Sequence, residues 1–358
     1  AMTSLTDEQT GLRDAVRTLL AKRSDSAGVR RAIGSPRGYD ESLWQVLCAQ
    51  IGVAGLSIPE KFGGLGAGLL ETHVVLEELG ATLTPNPLLG SGVLAAQALL
   101  ALDDTAASER LLPGIADGTS IGALCWAGPA GQWDTSTAPV TTQGGSLTGE
   151  ACYVLDGDHA DVLLVVARAE DEIGIYEVDA DQPPVQRRQT PAMDPTRRLA
   201  TVTLDGATGR RIGGDARAAL ARVRDIACVG LSAEQVGAMS RALHLTVEYS
   251  KTRLQFGRPI GSFQALKHRM ADLYVLVAAA RSASYAAVDA TVDPSVAKAY
   301  CSEAFCTVAA EMIQLHGGIA ITWEHDAHLY FKRAHGSAQL FGQPREHLAR
   351  LAAAAGLD

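Results

Sequence analysis

The spacing of hydrophobic residues changes along the 358-residue chain, and each change marks a change in the predicted structure. From about residue 5 to 120, apolar positions recur at helical spacing, as in Leu12 and Val16, which predicts helices. From about 120 to 215 the apolar runs are short or alternating and are separated by Gly, Asp and Pro. This second pattern predicts β-strands, and the lack of helical segments between them favours antiparallel pairing.

Long amphipathic stripes return after Ala216 and predict a four-helix bundle. Asp293-Pro294 is an N-cap followed by proline at the first helical position, which predicts the start of one of its helices. The predicted fold is therefore α+β and mostly α. Its predicted parts are an N-terminal helical domain (1–120), a central antiparallel β domain (121–215) and a C-terminal four-helix bundle (216–358).

Composition narrows the class of protein. Hydrophobic residues make up 47% of the chain, but no uninterrupted apolar run is long enough for a membrane span, and the start, Ala1–Ser4, lacks the features of a signal peptide. Ala1 before Met2 looks like a remnant of cloning. The net charge of -9 argues against nucleic acid as a partner. Six cysteines without a CxxC pair favour reduced thiols, so we expect a cytoplasmic protein.

One stretch near the C-terminus suggests chemistry. A helical pattern runs through Gln314 into Gly317-Gly318, and Glu324 follows beside Trp323. Paired glycines allow a backbone to approach a ligand closely. A carboxylate among apolar neighbours can have a raised pKa and act as a general base near neutral pH. The alternative is a helix end followed by a surface glutamate.

Several motifs together resemble the acyl-CoA dehydrogenase family. Residues 253–264 follow the pattern R-x-x-F-G-x-x-I-x-x-F-Q, and residues 52–66 follow G-x-x-G-L-x-I-P-E-x-x-G-G-x-G. Glu77-Glu78-Leu79-Gly80 and the Gln314-x-x-Gly317-Gly318 run also match the family in order. The resemblance covers nearly the whole chain and implies a flavoprotein of the acyl-CoA dehydrogenase fold.

The resemblance also implies cofactor contacts. Arg253 would contact the FAD pyrophosphate of a neighbouring subunit, because a planar guanidinium binds phosphate through two hydrogen bonds. Phe256 would pack against the cofactor, and Gln264 would hydrogen-bond its adenosine part. Gln314 and Gly318 would line the same FAD from the partner chain.

By the same resemblance, Glu324 takes the position of the family's catalytic base. It would remove the α proton of an acyl-CoA thioester while the flavin accepts the β hydride, and the electrons would pass to an electron-transfer flavoprotein. Donors at the thioester carbonyl would stabilise the charge that develops there. A subset of the family carries its base on an earlier helix. The matching position in this chain falls near Cys228, and a cysteine is a poor base. Glu234 is therefore a minor alternative, with an exposed helix residue as its other interpretation.

The chain departs from the family at its flavin contacts. Ala127 and Leu155 replace hydroxyl side chains, and residues 341–347 replace the usual Glu-Gly-Thr. Backbone N–H groups could still contact the ring, and Tyr153 could cover its face. We therefore expect an FAD site that is either weaker than usual or completed by another chain, in a homotetramer or an α2β2 heterotetramer with a related chain.

Three functions follow as alternatives. The first is FAD-dependent dehydrogenation of an acyl-CoA to the trans-2-enoyl-CoA, with fatty acyl and steroid substrates left open. The second is a non-catalytic or half-site subunit of a heteromeric dehydrogenase. The third is a flavin monooxygenase on the same fold, against which the presence of a base at Glu324 argues.

His325 and His328 could suggest a metal, but no third ligand recurs at matching spacing, so no metal is expected.

Overall fold

A computed structural model describes residues 5–357, and the predicted polar start, Ala1–Ser4, lies outside the described residues. Side-chain caps define the starts of several N-terminal helices: Thr6 and Gln9 form a capping box, and Asp25 accepts from the N–H of Gly28. The helices are α1 (Asp7–Arg23), α2 (Ser26–Ile33), α3 (Glu41–Val46), α4 (Leu69–Ala81), α5 (Ala96–Ala101) and α6 (Thr105–Ala116). π-Helical segments, Leu47–Ile51 and Leu88–Ala95, follow α3 and precede α5.

The strands form one closed sheet. They are β1 (Gly122–Cys125), β2 (Val140–Gln143), β3 (Ser146–Leu155), β4 (Val162–Ala169), β5 (Glu172–Asp179), β6 (Val185–Gln189) and β7 (Leu199–Ile212). Pairing runs from β4 through β2, β3, β7 and β5 back to β4, with β1 also on β4 and β6 on β7. Closure leaves no edge in this ring, and the buried face of each strand lines a common interior.

The strand pairing corrects one part of the prediction. Most pairs are antiparallel, but β1 and β2 both pair with β4 in parallel. Residues 122–125 lie opposite 162–165, and residues 140–141 lie opposite 167–168. β1 and β2 therefore lie end to end along the same edge of β4, and the segment between them, residues 126–139, leaves that edge and rejoins it.

The C-terminal part contains the predicted helical bundle. Its elements are α7 (Arg217–Thr252), the hairpin β8 (Leu254–Gln255) and β9 (Arg258–Pro259), α8 (Gln264–Val288), α9 (Pro294–His316), α10 (Ala327–Gln339) and α11 (Pro344–Ala354). α9 packs against α7, α8 and α10. Pro294–Ile321 is long and apolar enough to span a membrane by length and composition, which differs from the sequence analysis; in the fold it is the central helix of this bundle.

Two glycines allow α4 and α7 to cross with backbones in contact. A Cβ atom at Gly237 would lie 1.8 Å from the carbonyl oxygen of Glu77, and one at Gly80 would lie 2.2 Å from that of Glu234. One hydrophobic core runs from α1 through the sheet to the first half of α7, and a second fills the bundle. The first core crosses the predicted domain boundaries at 120 and 215, so the core does not mark where one domain ends and the next begins. The boundaries stay a prediction.

Candidate active site

Three aromatic side chains from distant segments meet beside the sheet, and we call Trp133, Tyr153 and Phe341 the aromatic pocket. The ring centroids of Trp133 and Tyr153 are 6.3 Å apart, and those of Trp133 and Phe341 are 5.7 Å apart in an edge-to-face arrangement. These distances are typical of favourable aromatic contacts. The pocket therefore joins the loop after β1, the end of β3 and the segment between α10 and α11.

A bulge in β3 directs Tyr153 into this pocket. The register of β3 against β7 shifts between Ala151 and Val154, and Tyr153 has a φ of 56°. Its hydroxyl donates to the carbonyl oxygen of Pro129 at 3.3 Å, and the N–H of Cys152 donates to that of Ala127 at 2.8 Å. These bonds tie the loop after β1 to β3 beside Tyr153, whose contact with a flavin stays a prediction.

The turn at Phe341-Gly342 is the third wall of the pocket and has a strained backbone. The φ angles are 59° for Phe341 and 98° for Gly342. A Cβ atom at Gly342 would lie 2.9 Å from Nε2 of His347 and 3.1 Å from Oε2 of Glu346. A side chain at position 342 would therefore crowd the far ends of two neighbouring side chains and adopt a φ that residues other than glycine rarely have.

Buried polar groups that the sequence analysis missed hold this turn. Nε2 of His347 donates to the carbonyl oxygen of Phe341 at 2.9 Å, and Arg350 donates to Nδ1 of His347 at 2.8 Å. Nζ of Lys298 donates to the carbonyl oxygen of Ala338 at 3.1 Å. Burial lowers the pKa of Lys298 to about 8 and that of His347 to about 4. Two signals in the sequence could have pointed to these groups: Lys298 is a lone lysine on an apolar helix, and His347 and Arg350 stand three residues apart.

The two predicted losses of hydroxyl groups have apolar consequences. Ala127 and Leu155 are both buried. Leu155 packs against Gly90, where an added Cβ would lie 2.9 Å from the Cβ of Leu155. The side chains at these positions are therefore packed inside the fold and form no hydrogen bond.

The other predicted cofactor residues lie at the opposite end of the bundle, around the turn between α7 and α8. Arg253 ends α7, Phe256 is 90% exposed at the tip of the β8–β9 hairpin, and Gln264 begins α8. Within residues 5–357 no carboxylate forms an ion pair with Arg253. Its guanidinium is thus available to an anion supplied from outside the chain.

Gln314 and Gly318 lie at this same end, which we call the bundle end. The rings of Tyr249, one turn before Arg253, and His316 stack with centroids 4.4 Å apart, and the hydroxyl of Tyr249 donates to the carbonyl oxygen of His316 at 3.3 Å. Gln314 and Gly318 flank His316 and are exposed. The five residues predicted to contact FAD from a partner chain therefore share one exposed region.

Glu324 is also at the bundle end, on an exposed turn between α9 and α10. His325, which follows it, lies with its ring centroid 4.7 Å from that of His316. The pKa of Glu324 lies below its ordinary value because its own backbone N–H and the hydroxyl of Thr322 hydrogen-bond the carboxylate. This differs from the expected apolar setting and makes the exposed carboxylate a weaker base.

Helix α10 separates Glu324 from the aromatic pocket. Its 13 residues run from just after Glu324 to just before Phe341. At a rise of about 1.5 Å per residue, the two ends of α10 are about 20 Å apart. The structure therefore groups Glu324 with Arg253 and Gln314 rather than with Tyr153.

Glu234 is the minor alternative base, and its other interpretation was an exposed helix residue. The structure shows that this other interpretation is wrong. Glu234 is buried and forms ion pairs with Arg197 and, at 3.5 Å, with Arg333. Cys228 is buried as well, and burial raises its pKa to about 12, so it is a protonated thiol at neutral pH. Nearby in the fold, burial raises the pKa of Asp156 to about 7.

The histidines that could have suggested a metal have other surroundings. Nδ1 of His325 accepts from the N–H of Ala327 at 3.1 Å, and the ring of His328 lies 4.7 Å from that of Trp323. Within the described part of the chain, no group of three or more His, Cys, Asp or Glu residues could hold a metal ion.

Comparison with known proteins gives the same family from both ends of the chain. The model "Acyl-CoA dehydrogenase, N-terminal domain" matches residues 6–119, and "Acyl-CoA dehydrogenase, C-terminal domain" matches residues 225–355. The acyl-CoA dehydrogenase IpdE2 of Mycobacterium tuberculosis is 47% identical over 347 residues, which cover 96% of both chains.

Two solved structures are similar over the whole fold. The "Tcur3481-Tcur3483 steroid ACAD G363A variant" has a TM-score of 0.87 at 32% identity and covers 96% of each chain. The ChsE4-ChsE5 complex from Mycobacterium tuberculosis has a TM-score of 0.90 at 28% identity and covers 99% of each chain.

Proposed function

The chain belongs to the acyl-CoA dehydrogenase family, and we propose that it serves the FAD-dependent α,β-dehydrogenation of an acyl-CoA thioester to the trans-2-enoyl-CoA. The observation that carries the proposal is the aromatic pocket, because Tyr153 and Trp133 lie beside the strained turn at Phe341-Gly342. Electrons would pass to an electron-transfer flavoprotein, and we propose a cytoplasmic location.

The residues present fit FAD in two separate places. The aromatic pocket offers ring faces and backbone groups to a flavin, while Arg253 at the bundle end has no carboxylate partner within residues 5–357 and suits a pyrophosphate. Gln264, Gln314 and Gly318 are exposed beside it. When bound, the flavin would supply the hydride acceptor. Because α10 spans about 20 Å between the two places, we propose that each FAD is held by two chains.

We propose as a second candidate that this chain is a half-site subunit of a heteromeric dehydrogenase. Residues 341–347 carry Phe341-Gly342 beside Trp133 where a carboxylate base would be needed, and Glu324 lies at the far end of α10. Two similar structures, the ChsE4-ChsE5 complex and Tcur3481-Tcur3483, each combine two differently named proteins and support this arrangement. The base for a thioester bound at the aromatic pocket would then come from an unlike partner.

Glu324 remains the base proposed within this chain. It would act on a thioester that another chain presents at the bundle end, where cover by that chain would desolvate the carboxylate and raise its pKa. The separation from Tyr153 favours the partner's base over Glu324. Replacement of Glu324 distinguishes the two assignments.

Purification of the chain alone and with a related chain from the same genome tests the assembly. The half-site proposal predicts little bound flavin in the lone chain and about one FAD for each pair of chains in the complex. Full flavin occupancy of the lone chain, with reduction by a thioester, would support a homotetramer and overturn the half-site proposal.

Anaerobic titration of the flavin-loaded complex with CoA thioesters tests the reaction and its substrate. We expect bleaching of the flavin absorbance, and a series from short acyl to steroid thioesters would rank the substrates. A flavin that no thioester reduces, but that dithionite reduces, would overturn the proposed dehydrogenation.

A further inference from the structure

Arg224 and Arg350 lie at the edge of the aromatic pocket, and we call them the arginine pair. Arg224 is on α7, one turn before Cys228, so both side chains share the face of α7 that meets the Phe341 turn. Arg350 is on α11, and its guanidinium donates to Nδ1 of His347, whose Nε2 donates to the carbonyl oxygen of Phe341. The thiol of Cys228 lies 3.9 Å from that same Nε2. The two guanidinium groups therefore approach the turn from two helices.

The hydrogen-bonding capacity of the arginine pair is mostly unused, although both side chains are half-buried. Arg224 makes no hydrogen bond or ion pair with any residue that the structure describes: its Nε is buried without a partner, and Nη1 and Nη2 are open to solvent. Arg350 forms no ion pair in this part of the chain either, and only its Nη2 is used, by His347. A half-buried guanidinium with unused donors is unfavourable unless a ligand accepts from them.

The charges around the arginine pair favour an anion. Burial and, next, the charge of Arg350 lower the pKa of Arg224 below its ordinary value, so the strongest charged neighbour of Arg224 is another cation. A guanidinium stays protonated at neutral pH even so, and two such charges repel. The carboxylates that act on Arg224, those of Asp225 and Asp134, lie too far away for an ion pair. Asp134 also accepts from the N–H and the hydroxyl of Ser136. An anion held between the two guanidinium groups would offset their repulsion.

We propose that the arginine pair binds an oxyanion, a phosphate or a carboxylate, that a ligand carries to the edge of the aromatic pocket. The planar fork of a guanidinium matches the paired oxygens of either group. The site adjoins the pocket because Phe341 belongs to both, through its ring beside Trp133 and its carbonyl oxygen on His347. The proposal concerns binding alone, so it can fail while the proposed dehydrogenation holds, and the reverse.

Calorimetric titration of the purified full chain with three related probes tests the proposal. Pantetheine carries no oxyanion, 4′-phosphopantetheine adds one phosphate, and succinyl-pantetheine adds one carboxylate. Charge-assisted hydrogen bonds predict that the probe with the recognised group binds about 10- to 100-fold more tightly than pantetheine. The phosphate probe and the carboxylate probe distinguish the two sources of the oxyanion.

Replacement of either arginine should remove the preference for the charged probe. Arg224→Met keeps the apolar stem of the side chain and removes the guanidinium. Arg350→Gln removes the charge and keeps an N–H group for His347. Arg222→Met is the matched control, because Arg222 is an exposed residue on the opposite face of α7 and its replacement changes the net charge equally. It should leave the preference unchanged.

The stability of the ligand-free chain separates a binding role from a role in the fold. Since Arg224 is half-buried without an ion-pair partner among the described residues, Arg224→Met should leave the thermal midpoint equal to or above that of the unaltered chain. A fall for this variant alone would show that the guanidinium stabilises the fold, and the proposal would then be wrong. Equal affinities of the three probes for the unaltered chain, no binding of any probe, or a preference that survives Arg224→Met would also overturn it.

Discussion

Glu324 follows Ile321 and Trp323 in sequence, and those apolar neighbours suggested a carboxylate with a raised pKa. In the fold, Trp323 is 66% exposed and Ile321 is 75% exposed, so they do not exclude water from the carboxylate. The nearest groups are instead hydrogen-bond donors, which lower its pKa. Apolar neighbours in sequence indicate a buried carboxylate only where the fold covers them. Burial of the Glu324 carboxylate would therefore require another chain.

Glu324→Gln tests the base within the assembled, flavin-loaded enzyme. For a thioester bound at the aromatic pocket of the same chain, about 20 Å from Glu324 along α10, we expect bleaching by an acyl-CoA to persist within about threefold of the unaltered enzyme. Anaerobic stopped-flow absorbance measures the rate. Glu303→Gln, an exposed glutamate on α9, is the control. Loss of bleaching with FAD retained in Glu324→Gln alone would identify Glu324 as the base.

Asp156 is a buried carboxyl group, and its environment predicts a pH-dependent stability. Burial raises the pKa of its carboxyl from the ordinary 3.8 to about 7, so the folded chain holds a proton that the unfolded chain loses above about pH 4. The stabilisation is fully present below that pH and is lost as pH rises through 7.

Asp156→Asn should therefore raise the thermal midpoint relative to the unaltered chain more at pH 8 than at pH 5.5. Asparagine also tolerates the φ of 56° at this position. Asp158→Asn is the control: the pKa of Asp158 is lowered, with Arg198 as an ion-pair partner at 2.7 Å, so this carboxylate is charged at both pH values. Its replacement should destabilise the chain at both pH values, and a pH-independent effect of Asp156→Asn would contradict the prediction.

At the scale of elements, the helices could be predicted and the strand pairing could not. Asp293 caps α9 and Pro294 begins it, because capping is a local interaction that neighbouring residues determine. The parallel pairing of β1 and β2 with β4 depends on where residues 126–139 return to the sheet. That return is a long-range property, and alternating patterns alone are equally compatible with a hairpin.

Gly237→Ala tests the close crossing of α4 and α7. The new methyl group would lie 1.8 Å from the carbonyl oxygen of Glu77, so the helices must separate, and we expect a loss of stability of about 2–4 kcal/mol. Gly11→Ala is the matched control, because a Cβ there meets nothing within 4 Å in the middle of α1. It should stabilise by about 0.5–1 kcal/mol. Urea denaturation measures both, and a neutral Gly237→Ala would contradict the packing argument.

At the scale of the whole molecule, the sequence motifs named the cofactor residues but not their grouping. Arg253, Gln264 and Gln314 come together because α7 and α9 end, and α8 begins, at the same end of the bundle. Tyr153 is remote because the 13 residues of α10 separate the two places. Motif spacing carries no information on these distances, since helix length and packing determine them.

The bundle end exposes large apolar side chains beside these polar ones, including Leu254, Phe256, Ile321 and Trp323. Such a patch is typical of a surface that another chain covers. The double variant Phe256→Ser with Trp323→Ser should therefore reduce the assembly toward single chains in analytical ultracentrifugation. Tyr274→Ser, an exposed aromatic residue on α8 away from these turns, is the comparison. An unchanged mass for the double variant would show that assembly uses another surface.

The end-to-end pairing of β1 and β2 along β4 has a consequence for divergence. Because both strands are held by β4, residues 126–139 can lengthen, shorten or change composition without shifting the register of either strand. This segment carries Trp133 and the backbone that anchors Tyr153, so it alters the surroundings of the aromatic pocket while the sheet stays the same. Exchange of residues 126–139 between relatives is therefore a route by which selection, or an engineer, could retune this pocket without redesigning the fold.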